Sequence, residues 1–331
     1  MFKYICVSGY GWSGSGACID LLKEFDWFGA PDGEFRIAKD PHGLSDLEFS
    51  LVHNWDFIRN DVAIREFLNY CNMLSRETGI FKRVGKNFSK KLNVDFMQLS
   101  ESYIDRLVDM TYYGDTFVHR YNISSVKSFV TKIRSKLGKN NAVQMYYSRP
   151  DEVKFLQETK SYLDGIFSNY INNYNIKYLL LDQAIPPTNI IRTMEYYRSS
   201  KLIIIDRDPR DIYCNMVRGN GLLGSDLIEE GSAIKYIKWH TLMRKMSKND
   251  KNNKDILKKV IRLNFEDLVL DYDSSVAKIF DFIGVNGVHS QKYKFFNPNA
   301  SAANIGLWKE YHNQEVMQEI ANMIPEYCID I

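Results

Sequence analysis

The chain opens with a buried-strand pattern, a glycine-rich turn and a helix pattern, and this succession constrains the fold more than any other feature. Residues 2–8 (FKYICVS) form a mainly apolar run, and residues 9–16 (GYGWSGSG) contain four glycines. Residues 17–25 (ACIDLLKEF) carry apolar side chains at helical spacing. Strand, glycine loop and helix in this order open a doubly wound or P-loop-like α/β fold, so we predict a central parallel sheet.

Further strand patterns lie far downstream. Continuous apolar runs at 176–182, 201–206 and 259–264 are typical of parallel strands that are covered on both faces. Between the first two we predict a helix that starts at Pro186 and Pro187. Two more helices are predicted at 274–283 and about 313–324.

Residues 45–174 differ from the rest of the chain, because they are rich in helix formers and contain few strand signals. We predict a single α/β domain, residues 1–331, with a P-loop-like three-layer fold. Residues 45–174 would be a mainly helical insertion that forms a cleft for the substrate.

Composition excludes several classes of protein. With 45% hydrophobic residues in 331, the chain can bury a sizeable core. Lys and Arg (43) nearly balance Asp and Glu (41), so global charge predicts neither nucleic acid nor an anionic membrane as a partner, although local clusters remain possible. No apolar window is long enough to span a membrane. Five scattered cysteines without CxxC spacing, and no signal-peptide pattern, predict a cytoplasmic protein without a metal site.

Three phosphate-binding interpretations compete for the glycine-rich turn. Residues 9–14 match GxGxxG, the dinucleotide fingerprint, with Asp32 or Glu34 as its acidic residue. The same glycines fit a Walker A loop, but Ser-Gly at 15–16 replaces its Lys-Ser/Thr, which argues against an ordinary ATPase or kinase. In the third interpretation, residues 13–16 cradle an anion at the N-terminus of the following helix, where backbone donors are unpaired.

A second basic motif, DRDPRD at 206–211, follows the strand pattern at 201–206. The carboxyl ends of parallel strands are where α/β folds bind ligands, and Arg207 at such an edge can bind phosphate with two hydrogen bonds. Asn215 lies two turns into the predicted helix and can add a donor. The alternative is a surface network of Arg and Asp around a helix cap.

These motifs resemble those of the sulfotransferases that use 3′-phosphoadenosine 5′-phosphosulfate (PAPS). Four segments carry the resemblance in the family's order: VSGYGWSGSGACIDLL, LIIIDRDPRDIYCNMV, LNFEDLVLDYDSSVAKIFDFIG and NIGLWKEY. They resemble the 5′-phosphosulfate loop, the 3′-phosphate motif, the YEDL segment and the C-terminal G-x-W-[KR] loop. The resemblance covers roughly residues 1–36 and 176–312, and the central insertion matches no known motif.

The resemblance implies a set of residues that bind the nucleotide. Residues 13–16 would hold the 5′-phosphosulfate, Arg207 and Asn215 the 3′-phosphate, and the C-terminal loop would close over the ligand. The full set is Trp12, Ser13, Gly14, Ser15, Gly16, Ala17, Arg207, Asn215, Ser301, Asn304 and Lys309. Trp12 stands where the family has a Lys or Arg that stabilises the leaving group, so Arg36, Lys39 or Arg207 would have to supply that charge.

The acceptor side is predicted from the segment GAPDGEF at 29–35, which resembles the G-x-P-x-E-[YF]-F segment of bacterial carbohydrate sulfotransferases. The resemblance implies Glu34 as the base that takes the acceptor's proton. His42 and His53 are rival bases, because His titrates near neutral pH. Asp40 and Asp46 could orient a sugar hydroxyl.

The predicted function is transfer of a sulfuryl group from PAPS, with PAP as product, to a hydroxyl of a carbohydrate or glycoconjugate. Two alternatives remain: a non-catalytic protein that binds PAP or glycan, which Trp12 favours, and an NAD-dependent oxidoreductase built on GxGxxG. The second would need a strand before Asp32, and DWFGAP is a poor strand pattern.

Overall fold

A computed structural model describes residues 3–79, 84–114, 125–137, 142–219, 226–229, 231–245, 253–285 and 287–330. The chain divides into two compact units. The first combines Met1–Arg36 with Tyr170–Ile331, and the second is Ile37–Asn169. No helix of the described residues has the length and apolar character needed to cross a membrane.

The strands are β1 (Lys3–Gly9), β2 (Phe28–Gly29), β3 (Met110–Gly114), β4 (Val143–Tyr147), β5 (Tyr178–Asp182), β6 (Ser200–Asp206) and β7 (Val260–Asn264).

The α-helices are α1 (Ser15–Leu22), α2 (Leu44–Glu48), α3 (Phe57–Ser75), α4 (Phe88–Leu92), α5 (Phe96–Leu107), α6 (Ser125–Lys136), α7 (Glu152–Tyr174), α8 (Ile190–Met194), α9 (Pro209–Arg218), α10 (Ile234–Lys245), α11 (Lys254–Leu257), α12 (Phe265–Leu270), α13 (Tyr272–Ile283), α14 (Pro298–Ala302) and α15 (Gln314–Met323). Phe49–His53 is a π-helix, and Asp226–Ile228, Leu307–Glu310 and Pro325–Tyr327 are 3₁₀ turns.

The first unit is built on a five-stranded parallel sheet in the order β2-β5-β1-β6-β7. Alternate residues of β1 and β6 are buried on opposite faces of this sheet, which explains their continuous apolar runs. One face packs against α1, α12 and α13 around Ile5, Val7, Ile203 and Ile205. The predicted α/β fold with a central parallel sheet is therefore confirmed.

The segment between β5 and β6 differs from its prediction. Its helix covers only Ile190–Met194. Pro186 and Pro187 lie in the irregular segment before it and do not begin the helix. A proline disfavours helical geometry at the preceding residue, so two consecutive prolines delay the start of the helix.

The second unit is mainly helical, and it also contains an antiparallel pair of strands. β3 pairs with β4 from Met110 opposite Tyr147 to Gly114 opposite Val143. Asp61 of α3 supports the pair, because its Oδ1 accepts a hydrogen bond from the backbone N–H of Tyr146 at 2.9 Å. The sequence did not predict this pair, since a long excursion that includes α6 separates its strands and leaves no short hairpin turn as a signal.

Candidate functional site

The glycine-rich loop lies at the carboxyl end of β1 and leads into the N-terminus of α1. Gly14 has φ of +89°, a left-handed conformation, and no side chain caps the helix. A Cβ at Gly14 would collide with the ring of Phe265, so this position requires glycine for two reasons. The first-turn N–H groups of α1 are donors of the kind that bind anions.

Two serine hydroxyls, one at the end of β1 and one in this loop, are buried without a hydrogen-bond partner. They are the Oγ atoms of Ser8 and Ser13, and Ser13 is only 2% exposed. Next to them, the Nε2 of Gln183 donates to the Oγ of Ser15 at 3.1 Å. Buried hydroxyls normally have partners, so Ser8 and Ser13 are polar groups that a bound anion can satisfy.

Arg207 follows β6 at the same edge of the sheet and is 5% exposed. Its Nη1 donates to the carbonyl of Trp12 at 3.3 Å, and its Nη2 donates to the carbonyl of Asn304. With its amide oxygen turned toward the guanidinium, Asn215 of α9 accepts from Nη1 at 2.6 Å and from Nη2 at 3.0 Å. Arg207 thus connects the glycine-rich loop, α9 and the C-terminal segment.

The environment of Arg207 combines an aromatic ring with buried carboxylates. The guanidinium carbon lies 5.1 Å from the ring centroid of Phe265, and Nε is buried without a hydrogen-bond partner. Burial lowers the pKa of Arg207, and the nearby charges of Asp211 and Glu266 oppose that effect. An arginine stays protonated under such conditions, so this edge of the sheet holds a buried positive charge.

Asp208 and Asp211 hold the backbone around Arg207. The Oδ1 of Asp208 accepts from the N–H of Arg210 at 2.8 Å and caps α9. The carboxylate of Asp211 accepts from the N–H of Gly306 at 2.7 Å and of Trp308 at 3.2 Å. Asp211 therefore fixes the C-terminal segment, a role that its place in the DRDPRD motif did not reveal.

Glu266 is the remaining buried carboxyl of this cluster, at 2% exposure. Its Oε1 accepts from the N–H of Asp208 at 2.9 Å, and Oε2 is buried without a partner. Burial raises the pKa of Glu266 from 4.5 to about 7, against the hydrogen bond from Asp208 and the charge of Arg207.

The raised pKa of Glu266 predicts a pH-dependent stability. Between pH 4.5 and about 7 the folded state holds a proton that the unfolded state has lost, so Glu266's contribution to the free energy of unfolding falls as pH rises through this window. The Glu266→Gln variant should gain about 2 kcal/mol relative to the parent protein between pH 5 and pH 7.5. Urea unfolding at both pH values measures the difference. The exposed Glu195→Gln control should follow the parent, and an E266Q curve parallel to the parent's would contradict the assignment.

Glu34 lies at the carboxyl edge of β5, because the N–H of the next residue, Phe35, donates to the carbonyl of Asp182 at 3.0 Å. Gln183, which follows Asp182, is the residue whose side chain donates a hydrogen bond to Ser15. Glu34 is exposed, and its Oε2 forms an ion pair with Nη1 of Arg36 at 3.1 Å. Gln183 was not predicted, because its only local signal is its position after a strand pattern.

His42, the second predicted catalytic residue, lies in the second unit. It is exposed, has φ of +64°, and its N–H donates to the Oδ2 of Asp46 at 2.7 Å. His42 and Asp46 line a cavity of about 490 Å³ together with Arg59 and Glu66. The Nε2 of His53, in the same unit, lies 3.7 Å from the Oε1 of Glu48.

Other predicted residues of the second unit also have partners. The Oδ2 of Asp40 accepts from the hydroxyl of Tyr70 at 3.1 Å, and Lys39 belongs to this unit as well. The described residues contain no group of three or more His, Cys, Asp or Glu that could hold a metal ion.

The remaining predicted nucleotide ligands lie in the first unit. Trp12 is 39% exposed and has φ of +51°, a backbone conformation that is rare for a residue with a bulky side chain.

The other predicted ligands lie in the C-terminal segment and in α1. Ser301 is in α14, and its carbonyl accepts from the N–H of Asn304 at 3.0 Å. Lys309 lies in the 3₁₀ turn with its Nζ 5.8 Å from the ring centroid of Trp308. Gly16 and Ala17 are in the first turn of α1.

Comparison with solved structures finds similar chains. The sulfotransferase domain of the Synechococcus PCC 7002 olefin synthase is 13% identical, with a TM-score of 0.47 and coverage of 100% of this chain and 96% of that one. The sulfotransferase domain of the curacin biosynthetic pathway is 15% identical, with a TM-score of 0.42 and 98% coverage of each chain. Retinol dehydratase in complex with androsterone and inactive cofactor PAP is 12% identical, with a TM-score of 0.35 and coverage of 98% and 80%. No family model and no curated protein matches the chain.

Strand order bears on the NAD-dependent alternative. In a dinucleotide-binding half, the strand after the first helix lies beside the first strand and carries the acidic ribose ligand at its end. Here β1 lies between β5 and β6, and the two-residue β2 pairs with β5 at the edge of the sheet. Asp32 and Glu34 therefore do not follow a strand adjacent to β1, and the sheet lacks the order that this alternative requires.

Proposed function

We propose that this protein is a sulfotransferase that takes a sulfuryl group from PAPS and transfers it to a hydroxyl. The observation that carries the proposal is the hydrogen bond from Nη1 of Arg207 to the carbonyl of Trp12. It joins two anion-binding elements at one sheet edge, the glycine-rich loop and the arginine after β6. A nucleotide with separate 5′ and 3′ phosphate groups matches two such elements.

The residues of this edge fit a doubly anionic nucleotide. The hydroxyl of Ser13 and the first-turn N–H groups of α1 would hold the 5′-phosphosulfate, and the unpartnered Ser13 Oγ supports this role. Arg207 would hold the 3′-phosphate together with the amide NH₂ of Asn215, whose oxygen faces the guanidinium. The segment with Ser301, Asn304 and Lys309 would cover the ligand, since Asn304 already contacts Arg207.

When bound, PAPS supplies an activated sulfuryl group. This chain's residues then have three tasks: to orient the nucleotide, to take the acceptor's proton and to stabilise charge on the leaving phosphate. Trp12 cannot provide that charge. Arg36 is the candidate cation nearest to Glu34 in the sequence and is already paired with it, so Arg36 can serve both the base and the leaving group.

Replacement of Glu34 by Gln tests the proposed base. The Glu34→Gln variant should lose sulfuryl transfer by about a hundredfold or more, because a general base contributes at least this factor, while PAP affinity stays unchanged. Transfer of labelled sulfate and PAP calorimetry give the two measurements. The exposed Glu195→Gln variant is the control, and unchanged transfer in E34Q would show that Glu34 is not the base.

A carbohydrate or glycoconjugate is the proposed acceptor, and a cytoplasmic location remains a prediction from the sequence. The function is tested by incubating the protein with labelled PAPS and a panel of glycans and simpler alcohols. PAP binding at micromolar concentration with transfer to at least one hydroxyl supports the proposal. Binding without any transfer would instead support a non-catalytic nucleotide-binding protein, which the exposed Trp12 favours, and absence of PAP binding would exclude both.

A further inference from the structure

Helix α6 presents an exposed apolar stripe. The stripe residues follow a helical spacing of three and four, which places them on one side of the helix. They are Val126 (74% exposed), Phe129 (65%), Val130 (48%), Ile133 (41%) and Leu137 (67%), the last directly after the helix. The strands that flank α6 in the sequence, β3 and β4, expose Met110, Tyr113 and Val143 as well. Large exposed apolar patches of this kind mark surfaces that bind a partner.

The other sides of α6 are polar, and Lys132 and Ser135 on them are exposed as well. Ser128 and Thr131, which point away from the stripe by helix geometry, are half-buried. A surface helix of a globular protein normally turns its apolar side toward the core and its polar side toward water. The apolar side of α6 is instead exposed, so it is available to a partner outside this chain.

Charge around α6 is strongly positive, although the chain as a whole is nearly neutral. Residues 116–150 contain seven Lys or Arg and no Asp or Glu, against a formal charge of +2 for the chain. At about 100° per residue, Arg134 lies about 80° to one side of the stripe and Lys136 about 80° to the other. Lys132 is farther round the helix, and all three are exposed. Cations therefore line both borders of the apolar stripe.

We propose that α6 binds the surface of an anionic lipid bilayer, lying in the interface with its apolar stripe in the acyl region. Basic residues at the borders of the stripe can reach the lipid phosphates while their stems stay in apolar surroundings. A second copy of this chain suits the surface less well, because two such helices would bring like charges together. This association is independent of the sulfotransferase proposal.

Vesicle flotation tests the proposal with the full-length protein. The parent protein should float with vesicles of phosphatidylcholine containing phosphatidylglycerol and remain unbound with phosphatidylcholine alone, and high salt should weaken binding. The Phe129→Ser/Ile133→Ser double variant should reduce the fraction bound by about tenfold, and Lys132→Glu/Lys136→Glu by a similar factor. Circular dichroism confirms that each variant is folded, which the exposure of these side chains favours.

The Leu242→Ser/Leu257→Ser double variant is the matched control, since both leucines are exposed but lie outside the basic segment. It should float like the parent protein. Equal binding to neutral and anionic vesicles, or full binding by F129S/I133S, would overturn the proposal. So would absence of vesicle binding together with a concentration-dependent dimer that F129S/I133S abolishes, because the stripe would then bind a second copy.

Discussion

Replacing Arg207 by Ala is expected to weaken PAP binding by about a hundredfold. In the proposed complex the 3′-phosphate replaces acceptors that Arg207 now has among Trp12, Asn215 and Asn304, and it receives two charge-assisted hydrogen bonds. Such bonds contribute about 1.5–3 kcal/mol each, and the variant cannot make them. It also removes the contacts that join Trp12 and Asn304. Calorimetry with PAP measures the loss, and circular dichroism confirms that the variant is folded.

Two further variants separate charge from geometry at this position. Arg207→Lys keeps the charge but cannot make the paired contact, so its affinity should fall between those of the parent protein and R207A. Arg218→Ala removes an exposed arginine from the last turn of α9, the helix that begins two residues after Arg207, and should leave PAP affinity unchanged. If R207A binds PAP as tightly as R218A, Arg207 does not bind the 3′-phosphate, and the function proposed for this edge fails.

Replacing Gly14 by Ala is expected to destabilise the protein by about 3 kcal/mol and to weaken PAP binding. A non-glycine residue in a left-handed conformation costs about 1–3 kcal/mol, and the new methyl group would also displace the ring of Phe265. Phe265 in turn packs against the guanidinium of Arg207, so the displacement reaches the second anion-binding element. The thermal midpoint and PAP calorimetry report the two effects.

Gly16 provides the matched control for stability. A Cβ at Gly16 would meet no atom within 4 Å, and the residue lies inside α1. Gly16→Ala should therefore be as stable as the parent protein or slightly more stable, since alanine favours helices over glycine. A G14A variant with the thermal midpoint of G16A would show that the loop tolerates a side chain at Gly14.

Local patterns predicted the parts of the fold that depend on adjacent residues. The opening strand, glycine turn and helix were found within three residues of their observed bounds, and β6 and β7 within one. Buried parallel strands and capped helices have short-range signals, so a single sequence shows them. The prolines before α8 misled the prediction, because two prolines can either start a helix or hold an extended segment.

The candidate site was predicted only in part, for a related reason. Arg207 and Asn215 lie on one motif, and the structure brings them into contact. Gln183 and Asp211 act through residues distant in the sequence, Ser15 and Gly306, and a single sequence does not show such pairs. The β3–β4 pair was missed likewise, since its partners lie far apart along the chain.

The sequence by itself determined the parallel sheet and the two motifs that are proposed to bind anions, because apolar periodicity, glycine positions and a charged motif after a strand are local properties. Tertiary structure decided what surrounds each motif. It buried Glu266, and this burial raises the pKa of the acid against the charge of Arg207. It also left the apolar side of α6 exposed, which periodicity alone cannot show: an amphipathic pattern states that two sides differ, and only packing decides whether the apolar side is buried.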